Sequence, residues 1–179
     1  MRRFPQEVIS GLVLSLFFAI ALYIRIKLPY DQIISGNWIK FAGIDAYYHM
    51  RIVDTLARNF PYLIEFDPYF IYPGGNAVGG TLFFDWLLAG IIWVIGLGSP
   101  SQHLVDVVGV YFPTVLAALT LIPVYFLGRG LFGRGAGLLA AGILTILPGE
   151  FLGRSVLGFT DHHVAEVLFI TTMVLFLVL

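Results

Sequence analysis

Residues 107–135 read VVGVYFPTVLAALTLIPVYFLGRGLFGRG. No charged side chain falls between Val107 and Leu127, and the run then gives way to glycines interleaved with Arg129 and Arg134. A helix needs ~20 mostly apolar residues to cross a bilayer core, and this run supplies them. Pro113 and Pro123 are tolerable there, because neighbouring helices and hydroxyl side chains can satisfy the carbonyls that proline leaves free. The stretch reads as a spanning helix, residues 104–127, followed by a tight glycine-arginine turn. It makes the chain an integral membrane protein.

Composition agrees. The 179 residues are 59% hydrophobic and only 12% charged, with a mean hydropathy of +0.90. A soluble domain is about half apolar and about a quarter charged, so this chain cannot cover its apolar surface with polar groups. Further apolar segments are residues 8–24 (closed by Arg25 and Lys27), 81–98 (with Asp85 inside), 135–152 and 162–179. The first mimics a signal peptide but is long for one and lacks a small-x-small cleavage site, so it reads as a retained anchor. The last reaches Leu179 without a closing charge, Gly or Pro, which reads as a truncated helix of a longer protein. The net charge of −1 gives no basic field for nucleic acid, and the absence of cysteine excludes disulfides and thiolate metal sites.

Cytoplasmic loops tend to carry Lys and Arg. Arg2 and Arg3 place the N-terminus inside, and Arg129 with Arg134 place their turn inside. Three apolar segments lie between these two points, yet two cytoplasmic ends require an even number of crossings. Residues 81–98, interrupted by Asp85, are the weakest and read as a non-crossing helix. The expected fold class is all-α and polytopic, with about four transmembrane helices. A large external loop, 25–103, would contain a helix at 45–60, and the two acid-rich parts of the chain would share the outer face of the cell membrane.

Four stretches can carry chemistry. In GIDAYYHMRIVDTLARNFP (43–61), Ile52, Val53, Leu56 and Phe60 form a helical stripe. Asp45 can cap that helix or share a helical face with His49, four residues on; Asp54 and Arg58 read as a surface ion pair. In GFTDHHVAEVLF (158–169), Asp161 and His163 flank His162, so a carboxylate and an imidazole could grip one cation. The plainer alternative has Asp161 as a cap and His162 paired with Glu166. Ionisable groups beside spanning helices are costly unless paired or functional. FDPYFIYPGGNAVGG (66–80) reads as a turn-rich loop, not a strand. Its Tyr69 and Tyr72 could rim a site or belong to the interfacial belt, and Asp67 before Pro68 starts a turn. Arg154 could fork onto phosphate oxygens or snorkel to headgroups.

Taken together, GIDAYYHMRI after the first membrane helix and GRSVLGFTDHH after the third crossing resemble the catalytic subunit of archaeal-type oligosaccharyltransferases. The resemblance covers the whole chain, in order. It implies a C-type glycosyltransferase-like fold and transfer of a glycan from a polyprenyl (dolichyl-type) phosphate or diphosphate to Asn in Asn-x-Ser/Thr. It implies Asp45 as catalytic residue and metal ligand, with Asp161 and His163 completing the metal set. His163 replaces the commoner second aspartate, which shifts the expected Mg2+ or Mn2+ toward Mn2+ or Zn2+. Arg154, His162, Tyr69 and Tyr72 are the substrate-binding candidates. The implied partners are a lipid-linked oligosaccharide, an acceptor polypeptide with a sequon, and the lipid bilayer. A further acid and a soluble Trp-Trp-Asp domain would lie downstream, so the 179 residues alone are expected to be inactive. Rival readings are another polyprenyl-phosphate-sugar glycosyltransferase, an ion-conducting transporter, which would place charges at mid-membrane, and a structural subunit with capped helices.

Overall fold

The computed structural model describes residues 6–36, 38–79 and 82–178. Arg2, Arg3, Gly80, Thr81 and Leu179, which enter the sequence reading above, lie outside the described residues. The chain is built on α5 (Gln102–Phe132), and α1 (Gln6–Lys27), α6 (Arg134–Ile146) and α8 (His163–Val178) all pack against it. α3 (Ile44–Asn59) and α4 (Leu82–Ile95) pack on each other and on α5. Their shared core holds Val53, Leu56, Leu88, Ile92, Val105 and Ala117, with Val164 from α8.

Among the described residues, two helices, α1 and α5, are long and apolar enough to cross a membrane. With 22 residues, α1 is ~33 Å long at ~1.5 Å per residue. α4, α6 and α8 are shorter apolar helices.

The boundaries differ from the sequence reading in four places. α5 runs through the first half of the glycine-arginine stretch and stops only at Gly133, whose φ of 91° turns the chain. α6 ends at Ile146 because Pro148 and Gly149 follow, and a separate one-turn helix, α7 (Glu150–Gly153), precedes the acidic motif. The segment expected to be pure loop carries a two-residue antiparallel ladder, β3 (Phe66–Asp67) with β4 (Asn76–Ala77). A second such ladder, β1 (Ile34–Ser35) with β2 (Trp38–Ile39), follows the single turn α2 (Tyr30–Ile33). Finally, Asp45 does not cap α3. Gly43, at φ 89°, occupies the cap position without a side-chain bond, and Asp45 stands exposed in the first turn.

Two glycines set the α5–α6 hairpin. A Cβ on Gly137 would lie 2.5 Å from the Tyr125 carbonyl oxygen, and one on Gly128 would lie 2.9 Å from the Gly137 Cα. Close backbone approach through small residues is a device of membrane helix pairs. At this end of the bundle Glu7 binds both basic side chains of the turn, with Arg129 Nη1 at 3.0 Å and Arg134 Nη2 at 2.8 Å. At the other end Arg25, buried in the last turn of α1, donates to Ser155 Oγ (2.9 Å) and to the Thr145 carbonyl (3.1 Å).

Candidate metal centre

The acidic motif is presented by a loop strapped down on three sides. Pro113 has no N–H, so the Gly109 carbonyl inside α5 lacks its helical donor. Thr160 Oγ1 supplies the bond instead, at 2.8 Å, and the Gly158 N–H donates to the neighbouring Val110 carbonyl at 2.9 Å. The Leu157 N–H donates to the Arg25 carbonyl (3.0 Å), and the Ala42 N–H, just before α3, donates to the Gly158 carbonyl (2.8 Å). Gly158 has φ 83° and its missing Cβ would press on Ile33, so both backbone and space call for glycine. These bonds bring Asp161 to the start of α8 with its side chain fully buried.

Asp161 meets α3 directly and is linked through it to α4. His49, buried on α3, points Nε2 at Asp161 Oδ1 (3.2 Å) and Nδ1 at Asp85 Oδ1 on α4 (2.7 Å). His162 adds its backbone N–H at 2.6 Å and its Nδ1 at 2.6 Å to the same Asp161 oxygen. Asp161 Oδ2, by contrast, is buried and has no hydrogen-bond partner. It faces His163 Nε2 at 3.4 Å and Arg154 Nη1 at 3.9 Å.

Burial works to lower the His49 pKa, but its bonds to Asp161 and Asp85 outweigh that and push it up to about 9. Burial would raise the Asp161 carboxyl, yet the bond from His49 and the His162 backbone N–H hold it down to about 2. Asp85 is raised, because burial outweighs the pull of His49. The His49 imidazole thus lies between two buried acids.

Among the described residues, two groups of potential ligand atoms lie within 4.8 Å of one another: His49–Asp161–His162 and His162–His163–Glu166. The structure therefore brings Asp161, His162 and His163 together. Asp45 joins neither group. It is near enough to act on Arg154, whose pKa is raised first by its bond to Glu150 (2.7 Å) and also by the charges of Asp161 and Asp45. Glu166 is reached by both imidazoles, at 3.8 Å from His162 and 3.5 Å from His163. Two cavities flank the motif. One, of about 320 Å³, is lined by Phe83, Phe84, His162 and Phe169. The other, of about 500 Å³, is lined by Glu150, Arg154, His163 and Glu166.

Tyr69 and Tyr72 are exposed and line neither of these cavities. Tyr69 lies under the Arg51 guanidinium, 4.8 Å from its ring centre, while Arg51 pairs with Asp67. Asp67 also accepts the Tyr69 N–H at 2.9 Å, so it does start the turn. The Asp54–Arg58 pair forms at 3.1 Å. Sequence reasoning missed Asp85 as a partner and gave His49 only a helical face; the i, i+4 spacing from Asp45 to His49 was the available signal.

A helix-rich apolar bundle with an acid-imidazole cluster at one end defines the class. A family profile described as oligosaccharyl transferase STT3, N-terminal, matches residues 14–179. The chain belongs to that family. The dolichyl-monophosphooligosaccharide–protein glycotransferase AglB of Haloferax volcanii is 42% identical over 165 residues, which cover 91% of this chain and 16% of that protein. The fold is shared with solved forms of the Archaeoglobus fulgidus oligosaccharyltransferase. The form in complex with an inhibitory peptide and a dolichol-phosphate gives a TM-score of 0.84 at 30% identity, covering 95% of this chain and 19% of that one. The form with Zn and sulfate gives 0.82 at 31%, covering 91% and 20%. A third form, tethered to an acceptor peptide containing the NVT sequon, gives 0.81 at 31%, covering 91% and 19%. The chain thus spans about a sixth to a fifth of the length of these relatives.

Proposed function

We propose that this chain is the donor-side part of a metal-dependent oligosaccharyltransferase. The enzyme would move a glycan from a dolichyl-type phosphate or diphosphate to Asn in Asn-x-Ser/Thr. The observation that carries the reading is Asp161 Oδ2, a buried carboxylate oxygen without a hydrogen-bond partner, 3.4 Å from His163 Nε2. Buried polar atoms are rarely left unpaired, and an orphaned acid oxygen beside an imidazole suits a divalent cation. Asp161 and His163 would hold that cation, with Asp45 as the third ligand. Oxygen and imidazole together suit Mn2+ or Zn2+ better than Mg2+, in line with the zinc-bound Archaeoglobus relative.

A cation bound there would supply Lewis-acid stabilisation to the departing phosphate. Arg154, half-exposed in the larger cavity, would fork onto the phosphate oxygens. His162 would face the donor from the smaller cavity. The acceptor amide is a poor nucleophile because its lone pair is delocalised. Asp45, an exposed carboxylate, would accept a hydrogen bond from that NH2 and so orient it. Tyr69 and Tyr72 would rim the acceptor side.

The topology proposed is four membrane crossings, by α1, α5, α6 and α8, in a C-type glycosyltransferase fold with residues 25–103 external. The N-terminus would be cytoplasmic and the catalytic face external. Glu7 bound to Arg129 and Arg134 supports this, because it puts the start of α1 and the basic turn at one end of the bundle.

The test uses the complete protein in detergent, with Mn2+ binding followed by electron paramagnetic resonance and transfer followed on an Asn-x-Thr peptide. Asp161→Asn and His163→Ala are expected to weaken Mn2+ binding at least tenfold, and Asp45→Asn to abolish transfer. Unimpaired metal binding and transfer in all three would remove the site assignment. Transfer to a lipid or glycan acceptor but not to the peptide would point to another polyprenyl-phosphate-sugar enzyme.

A further inference from the structure

The two oxygens of Asp161 face two different sets of groups. Oδ1 is occupied by His49 Nε2 (3.2 Å) and by the backbone N–H and Nδ1 of His162 (both 2.6 Å), whereas Oδ2 has no hydrogen bond and faces His163 Nε2 (3.4 Å) and Arg154 Nη1 (3.9 Å). His49 is in turn held from behind: Asp85 Oδ1 takes its Nδ1 at 2.7 Å. Its ring is wedged edge-on against Tyr48 and Phe84, with centroids 5.6 and 5.3 Å away. Thus α3 reaches the carboxylate through His49, α4 braces His49 from behind, and one carboxylate oxygen is left for a ligand.

We propose that His49, oriented by Asp85, is a positioning residue that makes Asp161 a one-oxygen ligand and so biases the site against calcium. The inference rests on the metal reading above. Ca2+ takes six to eight oxygen ligands at ~2.3–2.6 Å, often with a carboxylate giving both oxygens. For Asp161 to do that, Oδ1 would have to leave His49, stranding a buried donor. Mn2+ and Zn2+ need only one oxygen from Asp161 and accept the His163 imidazole as a neighbour. The arrangement matches a general pattern, in which partners behind a ligand fix its orientation and their loss weakens metal affinity by about 10–100-fold.

The experiment is a Mn2+ titration by electron paramagnetic resonance, with Ca2+ as competitor, on the complete protein in detergent. His49→Phe keeps the ring volume but loses both nitrogens. Its Mn2+ affinity is expected to fall about tenfold or more, with Ca2+ affinity falling less or rising, so that the Mn2+/Ca2+ preference drops. Asp85→Asn should shift the preference the same way, and His49→Gln, which keeps a donor, should restore most of it. Thermal unfolding checks that each variant is folded; should His49→Phe fail to fold, Asp85→Asn and His49→Gln decide. An unchanged preference in these variants, while Asp161→Asn loses Mn2+, overturns the positioning role alone. Unchanged Mn2+ binding in Asp161→Asn overturns the metal reading beneath it. Loss of an imidazole nitrogen from the Mn2+ hyperfine spectrum in His49→Phe would make His49 a ligand, and that also overturns the positioning role.

Discussion

His49 and Asp85 show what a single residue can conceal. His49 is visible in the sequence only as the fourth residue after Asp45, and Asp85 only as a blemish in an apolar segment. Their pairing spans 36 positions and the contact of His49 with His162 spans 113, distances over which no local periodicity operates. Asp67 is the opposite case, because its turn was legible from the proline behind it. Its pairing with Arg51 lowers its pKa below the usual 3.8, helped by the Tyr69 N–H and opposed by burial. A depressed acid contributes stability above its unfolded-state pKa and loses it as pH falls through the folded-state value. The hairpin of residues 66–77 should therefore loosen from α3 in acid. The protection of the Tyr69 N–H, its exchange rate relative to the intrinsic rate at each pH, should fall as pH drops below 3.8, and Asp67→Asn should show the low protection already at neutral pH. Equal protection in the two proteins at every pH would contradict this.

Among the elements, α5 carries the clearest lesson. Its apolar run identified it, and its prolines were read only as tolerable interruptions. In the structure Pro113 has a positive use: it frees the Gly109 carbonyl, on which Thr160 seats the acidic loop. Thr160→Val keeps the shape and strands that buried carbonyl, at a cost of about 1–3 kcal/mol. Adding Pro113→Ala returns an N–H to the helix and should recover much of the loss. Thermal unfolding of the two single variants and the double variant measures this. Additive losses would mean that the carbonyl is not the shared cause. The helix ends were less legible than the helices. The backbone continues past Arg129 because glycine tolerates helical dihedrals as well as turns, and only Gly133 takes a positive φ.

At the scale of the whole molecule, composition alone set the class, and two motifs far apart in sequence pointed to the family. The meeting of those motifs depends on how α3 and α8 pack around α5, which no spacing rule encodes. The chain corresponds to 16% of the Haloferax relative, and the proposed ligands Asp45, Asp161 and His163 alone would make an incomplete coordination set. The 179 residues expressed alone should give no transfer to an Asn-x-Thr peptide, while the complete protein should give transfer that a chelator abolishes and Mn2+ restores. Transfer by the 179 residues alone would contradict the division of the site.

Arg25 links this architecture to time. Its side chain is buried at the end of the first helix, and two of its nitrogens are bonded across the fold by Thr145 and, 130 positions downstream, Ser155, while Nη2 has no partner. A chain made from its N-terminus therefore carries an unmet cation at that spot until the stretch bearing the acidic motif has been synthesised. The same closing contact that quiets the arginine pulls residues 154–158 onto the bundle. Assembly of the cluster thus becomes a late step, tied to completion of the α1–α6 packing, and a nascent chain stalled before Ser155 would hold its first helix loosely and lack Asp161 and His163 altogether.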